Sequence, residues 1–254
     1  LDTAYKYSNK ILFVEDTGDP DTIYKRRCDV EMSDMLANGL ESNSYYQLMT
    51  DTFHRAEDTE LMEVSYTDST NLASWIVYIP SALGLSMGRL LGLSAMFTFQ
   101  IARIFNLICF VSLVWAGIRM IPFGKNIFAM TAVLPIALQQ GASVSYDAVV
   151  NGILLFFTAF CFYMKRKEKK EKREIIFAGI LSVFIAVVKG GAYLPLLLLL
   201  IPAFVKGEIL KKQNRKKLFL YTGIILCAAV LLTCVALFKF MPVLRTFMES
   251  GGQG

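Results

Sequence analysis

Residues 146–174 read YDAVVNGILLFFTAFCFYMKRKEKKEKRE and combine the two features that decide the fold. The first part, 146–164, is an apolar run close to the length of about 20 residues that a helix needs to cross a bilayer. The second part, 165–174, follows directly and carries seven basic side chains. Loops rich in Lys and Arg remain on the cytoplasmic side of a membrane. The stretch therefore predicts a spanning helix whose C-terminal end faces the cytoplasm.

Further apolar runs lie at 94–118, 126–141, 175–188, 192–205 and 218–238. The first and the last of these are also long enough to span a bilayer, whereas the other three are short. We predict an all-α fold, a polytopic transmembrane helix bundle with about six crossings in this chain. The alternative is four crossings, with the run 175–205 forming a re-entrant hairpin.

The composition agrees with a membrane protein and excludes other classes. Of the 254 residues 55% are hydrophobic and 19% are charged, against about 45–50% and 25% in soluble domains. The segment 1–73 holds 15 of the 21 acidic residues, while 20 of the 26 basic residues follow it. Because those basic residues lie between apolar runs, we expect the lipid bilayer, and no nucleic acid, as the partner.

The basic loops fix the orientation and the domain boundaries. If 165–174 and 206–217 are cytoplasmic, the acidic segment 1–73 is an exterior polar loop region, with helical periodicity at 31–40 and 46–55. The next segment, 74–93, is broken by Pro80 and by glycines and carries Trp75 and Tyr78. It predicts an interfacial helix on the outer face, with an additional crossing as the alternative.

The transmembrane helix bundle then covers 94–239, and 240–254 is an exterior tail. These boundaries describe a multi-pass protein of the plasma (inner) membrane. The chain begins at Leu1 without an apolar signal. We therefore expect a fragment that lacks at least one N-terminal helix and is truncated after residue 254.

Ionisable residues inside or beside apolar runs are the main candidates for function, because they are costly there. Arg103 lies about 12 Å along the first crossing, with Gln100 and Asn106 at three-residue spacing. Its guanidinium suits a phosphate, and the alternative is snorkelling or a structural pair. Asp147, at the outer start of a crossing, caps a helix or else binds a cation or a sugar hydroxyl.

The predicted topology places several cationic side chains near the outer membrane face. Arg89, Arg103 and Lys189 converge there with Asp147, and Tyr193 lies beside Lys189. This arrangement suggests an outward-opening polar cavity for a lipid phosphate head group. A lysine at this position is also typical of a membrane interface, which is the alternative for Lys189.

The exterior segment contains two polar clusters, 26–29 and 54–58, that we expect to be solvated surface. A carboxylate of such a loop, for example Asp29, could serve as a general base or hold a divalent cation. His54 is the single histidine, and the cysteine spacings do not match a zinc site. We therefore predict no metal site built on these residue types.

Several motifs resemble one family of bacterial membrane proteins across nearly the whole chain, in the same order. They are TAYKYSNKIL, KRRCDVEM, YIPSALGLSMGRLLGLS, IARIFNL, LPIALQQGASVSYDAVVN and VVKGGAYLPLLLL. The chain resembles the domain-of-unknown-function family 2142, which is similar to membrane glycosyltransferases of the GT-C architecture. The resemblance implies a polyprenyl-phosphate sugar donor, and a main catalytic carboxylate upstream of Leu1. Asp147, Lys189 and Tyr193 match positions in family-like motifs.

These observations support three hypotheses. The first is a GT-C-like glycosyltransferase that uses a polyprenyl-phosphate-linked sugar to modify a cell-envelope glycan, with or without a divalent cation. Arg103 and Lys189 would then stabilise the departing lipid phosphate. The second is a transporter or flippase for a lipid-linked sugar or another solute. The third is a non-catalytic scaffold in envelope assembly.

Overall fold

The computed structural model describes residues 1–19, 21–37, 59–66, 74–168, 170–188 and 192–204. The described part is mostly helical, as predicted. Its α-helices are α1 (Asp2–Ile11), α2 (Arg27–Ala37), α3 (Ser74–Leu90), α4 (Ala95–Met120), α5 (Lys125–Ala132), α6 (Pro135–Gly141), α7 (Asp147–Arg166), α8 (Lys172–Val187) and α9 (Leu200–Phe204), with a 3₁₀ helix at Leu194–Leu199.

The prediction of an all-α fold is wrong in one respect, because the segment 1–73 contains a small sheet. Strand β1 (Thr22–Arg26) pairs antiparallel with β2 (Leu61–Ser65), and Thr22 lies opposite Ser65. The turn before β1 includes Gly18 at φ +79°, a conformation that glycine adopts without strain. The strands escaped sequence analysis because each has five residues and charged side chains interrupt the apolar pattern.

The helix predicted at 31–40 corresponds to α2, which begins four residues earlier. Periodicity alone could not locate this start, since α2 follows β1 without a connecting loop. The helix predicted at 46–55 and the polar cluster 54–58 lie outside the described residues.

Two described helices are long and apolar enough to cross a membrane, α4 and α7. They match the predicted crossings at 94–118 and 146–164. The run 126–141 is divided into α5 and α6 at Pro135, since proline cannot continue a helix ladder. The runs 175–188 and 192–205 form α8 and the short helices after it. The run 218–238 lies outside the described residues, so six crossings remain a prediction.

The chain folds into two compact units. The first contains residues 1–70, 74–114 and 130–153, and its core includes Tyr5, Ile23, Tyr66, Leu85 and Ala102. The second contains 71–73, 115–129 and the residues from 154 onward. The core of this second unit joins α7, α8 and the 3₁₀ helix through Phe157, Phe160, Met164, Ile185 and Leu197.

Helix α3 has an apolar exposed face and a mixed buried face, which includes Val77, Ala82 and Leu85 beside two serines. Ser81 and Ser86 are buried. On the opposite side Trp75, Ile79, Leu83 and Met87 recur every fourth residue, and all are exposed. A surface helix of a soluble protein has charged or polar residues on its exposed face instead. Helix α4 also exposes an apolar stripe, which consists of Ile104, Ile108, Val111 and Trp115. Both stripes suit contact with lipid.

Helices α3 and α4 approach each other closely at two glycines. A Cβ atom added at Gly84 would lie 2.6 Å from the Ala102 Cα, and one at Gly88 would lie 2.7 Å from the Thr98 Oγ1. The two glycines are four residues apart, the small-residue spacing by which membrane helices pack. This crossing places the end of α3 beside the start of α4, where Arg26 of the segment 1–73 attaches.

Candidate functional site

A buried ion pair between Arg26 and Asp29 forms the centre of the first unit. The Arg26 Nε donates to Asp29 Oδ2 at 2.7 Å and Nη2 donates to Oδ1 at 2.9 Å, so the pair is bidentate. Both residues are 4% exposed. The expectation that 26–29 is solvated surface is therefore wrong for these two residues. They are buried because the end of β1 and the start of α2 pack on the membrane helices.

Arg26 also joins the segment 1–73 to the start of α4. Its Nη1 donates to the Leu93 carbonyl at 3.1 Å, and its Nη2 donates to the Thr98 hydroxyl at 3.2 Å. A planar guanidinium can bind a carboxylate and still direct donors elsewhere. One side chain of the sheet thus fixes the turn between α3 and α4.

Tyr5 of α1 forms hydrogen bonds with both members of the ion pair. Its hydroxyl donates to Asp29 Oδ2 at 2.7 Å and accepts from the Arg26 backbone N–H at 3.0 Å. Burial and the neighbouring Asp29 charge raise the pKa of Tyr5 above its ordinary value. The phenol therefore remains a hydrogen-bond donor at neutral pH. Burial opposes the charge of Arg26, but hydrogen bonding to Asp29 and its negative charge raise the pKa of the guanidinium.

Arg89, near the end of α3, lies on the other side of Tyr5. Its Cζ is 4.4 Å from the centre of the Tyr5 ring, a cation–π contact. Its Nη1 donates to the Ser8 hydroxyl at 2.9 Å and to the Asn9 side-chain oxygen at 2.8 Å. Within the described residues Arg89 forms no ion pair. We call Tyr5, Arg26, Asp29 and Arg89 the arginine cluster.

A small cavity lies beside the arginine cluster. Its walls include Tyr5, Lys25, Asp29, Met32 and Leu85, and its volume is about 10 Å³. That volume is about what one water molecule requires. The cavity cannot admit a sugar in this conformation.

A second polar group lies where α4 faces the loop between α6 and α7. The Arg103 Nε donates to the Ala142 carbonyl at 2.8 Å, and Nη1 donates to the Gln100 side-chain oxygen at 3.1 Å. One turn further along α4, the Asn106 Nδ2 donates to the Ser143 carbonyl at 2.6 Å. Arg103 and Asn106 therefore hold loop 142–145 against α4, and we call them the α4 clamp.

The α4 clamp leaves one polar atom unsatisfied. Asn106 is fully buried, and its Oδ1 is the one buried side-chain oxygen or nitrogen in the described residues without a hydrogen-bond partner. Asp147 follows the loop at the start of α7. The Ser145 hydroxyl donates to its carboxylate at 3.3 Å, and the Asp147 backbone N–H is 3.2 Å from the Ser145 oxygen. Asp147 lies in the first turn of α7, where the helix dipole favours a negative charge, and its role stays a prediction.

The comparison with protein families gives one result. A family model described as "Predicted membrane protein (DUF2142)" matches residues 32–252, most of the chain. The chain belongs to this family. No curated protein and no solved structure matches it.

Only part of the arginine cluster lies within the residues that match the DUF2142 family. Arg89, like the whole α4 clamp, lies within the matched residues, whereas Tyr5, Arg26 and Asp29 precede them. The family description gives membrane association and no activity. Similarity to GT-C enzymes therefore stays a prediction.

The structure brings some of the predicted site residues together. Asp29 binds the Tyr5 hydroxyl while Arg89 lies over the Tyr5 ring, and Arg103 binds the loop that leads to Asp147. Tyr193 belongs to the second unit, where it precedes the 3₁₀ helix and packs on the apolar core. Lys189 lies outside the described residues.

Within the described residues no group of three or more His, Cys, Asp or Glu side chains could hold a metal. Sequence reasoning missed Tyr5, Ser8 and Asn9 of α1. Their spacing of three and four residues was a usable signal, because it places all three on one helix face.

Proposed function

We propose that this DUF2142 protein is a GT-C-like glycosyltransferase that binds the phosphate of a polyprenyl-phosphate-linked sugar with Arg89. Its acceptor is an envelope glycan. The observation that carries the proposal is the contact set of Arg89, which consists of neutral oxygens and an aromatic ring. No carboxylate of the described residues forms an ion pair with this guanidinium, although the Asp29 charge acts on it from a greater distance.

The surroundings of Arg89 support a lipid ligand rather than a soluble one. Arg89 belongs to α3, whose exposed face is apolar along its length. A lipid phosphate would bring its chain to that face and its charge to the guanidinium. Arg26 does not compete for the phosphate, since Asp29 already binds it on two atoms.

The transfer would form a bond between the acceptor oxygen and the anomeric carbon while the bond from that carbon to the phosphate breaks. The lipid phosphate leaves with the electron pair, and a positioned arginine stabilises its charge. A carboxylate takes the proton of the acceptor hydroxyl. Both oxygens of Asp29 already accept hydrogen bonds, so in this proposal Asp29 positions Arg26 and Tyr5. Asp147 and a carboxylate upstream of Leu1 remain the candidate bases, and a divalent cation bound there remains a prediction.

Binding of a polyprenyl phosphate tests the proposal directly. The full-length protein, in detergent micelles, is titrated with undecaprenyl phosphate and with undecaprenol, which lacks the phosphate. We expect the phosphate to bind at least tenfold more tightly, and Arg89→Gln to remove that difference. Arg27→Gln is the matched control, since Arg27 is exposed and its carboxylate partners lie 3.9–4.0 Å away. Equal affinity for both lipids in the unaltered protein would refute the proposal.

A transfer assay separates the enzyme from its alternatives. Proteoliposomes receive a polyprenyl-phosphate-linked labelled sugar and an envelope-glycan acceptor. Label in the glycan that depends on Arg89 supports the glycosyltransferase. Movement of the donor between leaflets without label in the glycan supports the flippase alternative, and neither activity supports the scaffold.

A further inference from the structure

The second unit gathers basic side chains from three separate chain segments at one end. Arg119 ends α4, Lys125 begins α5, and the segment 165–174 joins α7 to α8. The described residues of this end include eight basic and three acidic side chains, a net charge of +5. Lys167 is in an ion pair with Glu171 at 3.2 Å and with Glu174 at 2.7 Å. The members without an ion pair to a described residue include Arg119, Lys125, Lys165, Arg166, Lys172 and Arg173.

Contacts between the segments hold these charges near one another. The Arg166 Nη1 lies 3.5 Å from the carbonyl oxygen of Pro122, three residues from both Arg119 and Lys125. The rings of Phe123 and Phe162 meet edge to face at 5.2 Å. The Tyr163 hydroxyl donates to Glu174 at 3.2 Å, which ties α7 to α8. The end of α7 is thus fixed against both neighbouring segments.

Apolar side chains border the basic end in the manner of a membrane interface. Trp115 is 56% exposed, and the Arg119 guanidinium stacks 4.3 Å above its ring. Phe123, Ile127 and Ile176 are exposed nearby along the chain. Tryptophan is enriched where hydrocarbon meets head groups, and an adjacent arginine then lies at the level of the lipid phosphates.

We propose that the basic end of the second unit binds the head groups of anionic phospholipids. This inference is independent of the glycosyltransferase proposal. Topology alone requires positive charge near the membrane, but it does not require three segments to present uncompensated charges around a fixed turn. Each basic side chain at an anionic surface contributes about 1 kcal/mol, which corresponds to about a fivefold preference over a neutral lipid.

The two tryptophans of the chain, Trp75 and Trp115, provide the test. The full-length protein with Trp75→Phe retains Trp115 as its reporter, and its fluorescence is quenched by lipids brominated on their acyl chains. In bilayers of phosphatidylcholine mixed with brominated phosphatidylglycerol, we expect stronger quenching than with brominated phosphatidylcholine at the same fraction. The ratio gives a relative binding constant of about five or more.

Two comparisons make this result specific. Arg119→Gln with Arg166→Gln should lower the constant by a factor of about five or more, whereas Lys10→Gln with Arg27→Gln removes the same charge from the segment 1–73 and should leave it unchanged. In the protein with Trp115→Phe, Trp75 is the reporter, and brominated phosphatidylglycerol should quench it no more strongly than brominated phosphatidylcholine. A relative binding constant near one in the protein with an unaltered basic end would overturn the proposal. An equal decrease of that constant in both double variants would also overturn it. Loss of the preference on adding inorganic phosphate at constant ionic strength would indicate a small-anion site and would also overturn it.

Discussion

Arg26 and Asp29 show how a polar tetrapeptide becomes part of a core. The sequence RRCD presents four polar or reactive side chains in a row, which is typical of an exposed loop. The structure buries the first and the fourth and leaves Arg27 half exposed. The bidentate pair offsets the desolvation of both charges. In addition, Asp29 accepts a hydrogen bond from Tyr5, and Arg26 donates one to the Thr98 hydroxyl.

Replacing Asp29 with asparagine should strongly destabilise the first unit. Asp29→Asn removes the negative charge and leaves the Arg26 cation buried without a counter-charge. We expect the free energy of unfolding to fall by about 3–5 kcal/mol, as measured by denaturant unfolding in detergent.

Glu31→Gln is the matched control for that measurement. Glu31 lies on the same helix, is exposed, and is 3.9 Å from the Arg27 Nε. The change should cost no more than about 1 kcal/mol. Similar losses in the two variants would show that the buried pair does not stabilise the unit.

Cys28 should resist thiol reagents at neutral pH. Burial, followed by the Asp29 charge, raises the pKa of the Cys28 thiol to about 11. Because the thiolate is the reactive form, labelling at pH 8 should be about 100-fold slower than for a thiol of pKa 9. The rate should rise tenfold per pH unit until the pH approaches 11.

The raised pKa of Cys28 also makes the free energy of unfolding depend on pH. The folded state favours the protonated thiol, so this contribution to stability is present below about pH 9 and is lost as the pH rises toward 11.

The labelling rate of Cys28 is measured with maleimide on a variant in which Cys109, Cys161, Cys227 and Cys234 are replaced by serine. Rapid labelling at pH 7 in the folded protein would contradict the burial of Cys28.

At the level of elements, the crossing of α3 and α4 determines where the arginine cluster lies. The glycines at 84 and 88 let the two backbones approach, and the turn between the helices then reaches Arg26 through the Leu93 carbonyl. The α4 clamp does the same for loop 142–145. The arginine cluster and the α4 clamp are therefore both attached to α4 or to the turn that precedes it.

Gly84→Ala should destabilise the protein through steric overlap. Its Cβ would lie 2.6 Å from the backbone of Ala102, which cannot move without shifting α4. We expect a loss of about 1–3 kcal/mol in thermal or denaturant unfolding. Gly179→Ala is the matched control, because Gly179 is also inside a helix and nothing lies within 4 Å of its added Cβ.

The control should be neutral or stabilising by up to about 1 kcal/mol, since alanine favours a helix more than glycine does. A destabilised Gly179→Ala with an unaffected Gly84→Ala would show that α3 and α4 do not cross at Gly84.

At the level of the whole molecule, the topology remains the main prediction. The described residues contain two helices that pass the length and composition criteria for a span, α4 and α7. Three other apolar runs form shorter helices, and proline divides one of them. Charge bias therefore still carries the orientation, with 165–174 on the cytoplasmic side and 1–73 outside.

Single cysteines placed at two exposed positions should report opposite sides of the membrane. In a cysteine-free background Phe13→Cys, at a residue that is 93% exposed, should react with a membrane-impermeant maleimide in intact cells. Lys165→Cys should react only after the cells are opened. Labelling of Lys165→Cys in intact cells would reverse the predicted orientation.

The sequence by itself determined the helical class, the two long spans and the segregation of charge. These depend on the length and composition of contiguous runs, which the transfer of apolar residues into lipid decides locally. It also indicated Arg89, Arg103 and Asp147 as residues of interest, since charge beside apolar sequence is costly and needs a partner, and it named Asp29 as a carboxylate of a polar loop.

Only the tertiary structure decided which partners those residues have. Asp29 binds an arginine three residues away and a tyrosine 24 residues away, and Arg103 binds a carbonyl 39 residues away. The short strands were likewise decided by pairing between segments about 40 residues apart. Such contacts depend on which surfaces meet when helices pack, and a local pattern of residue types carries no record of that.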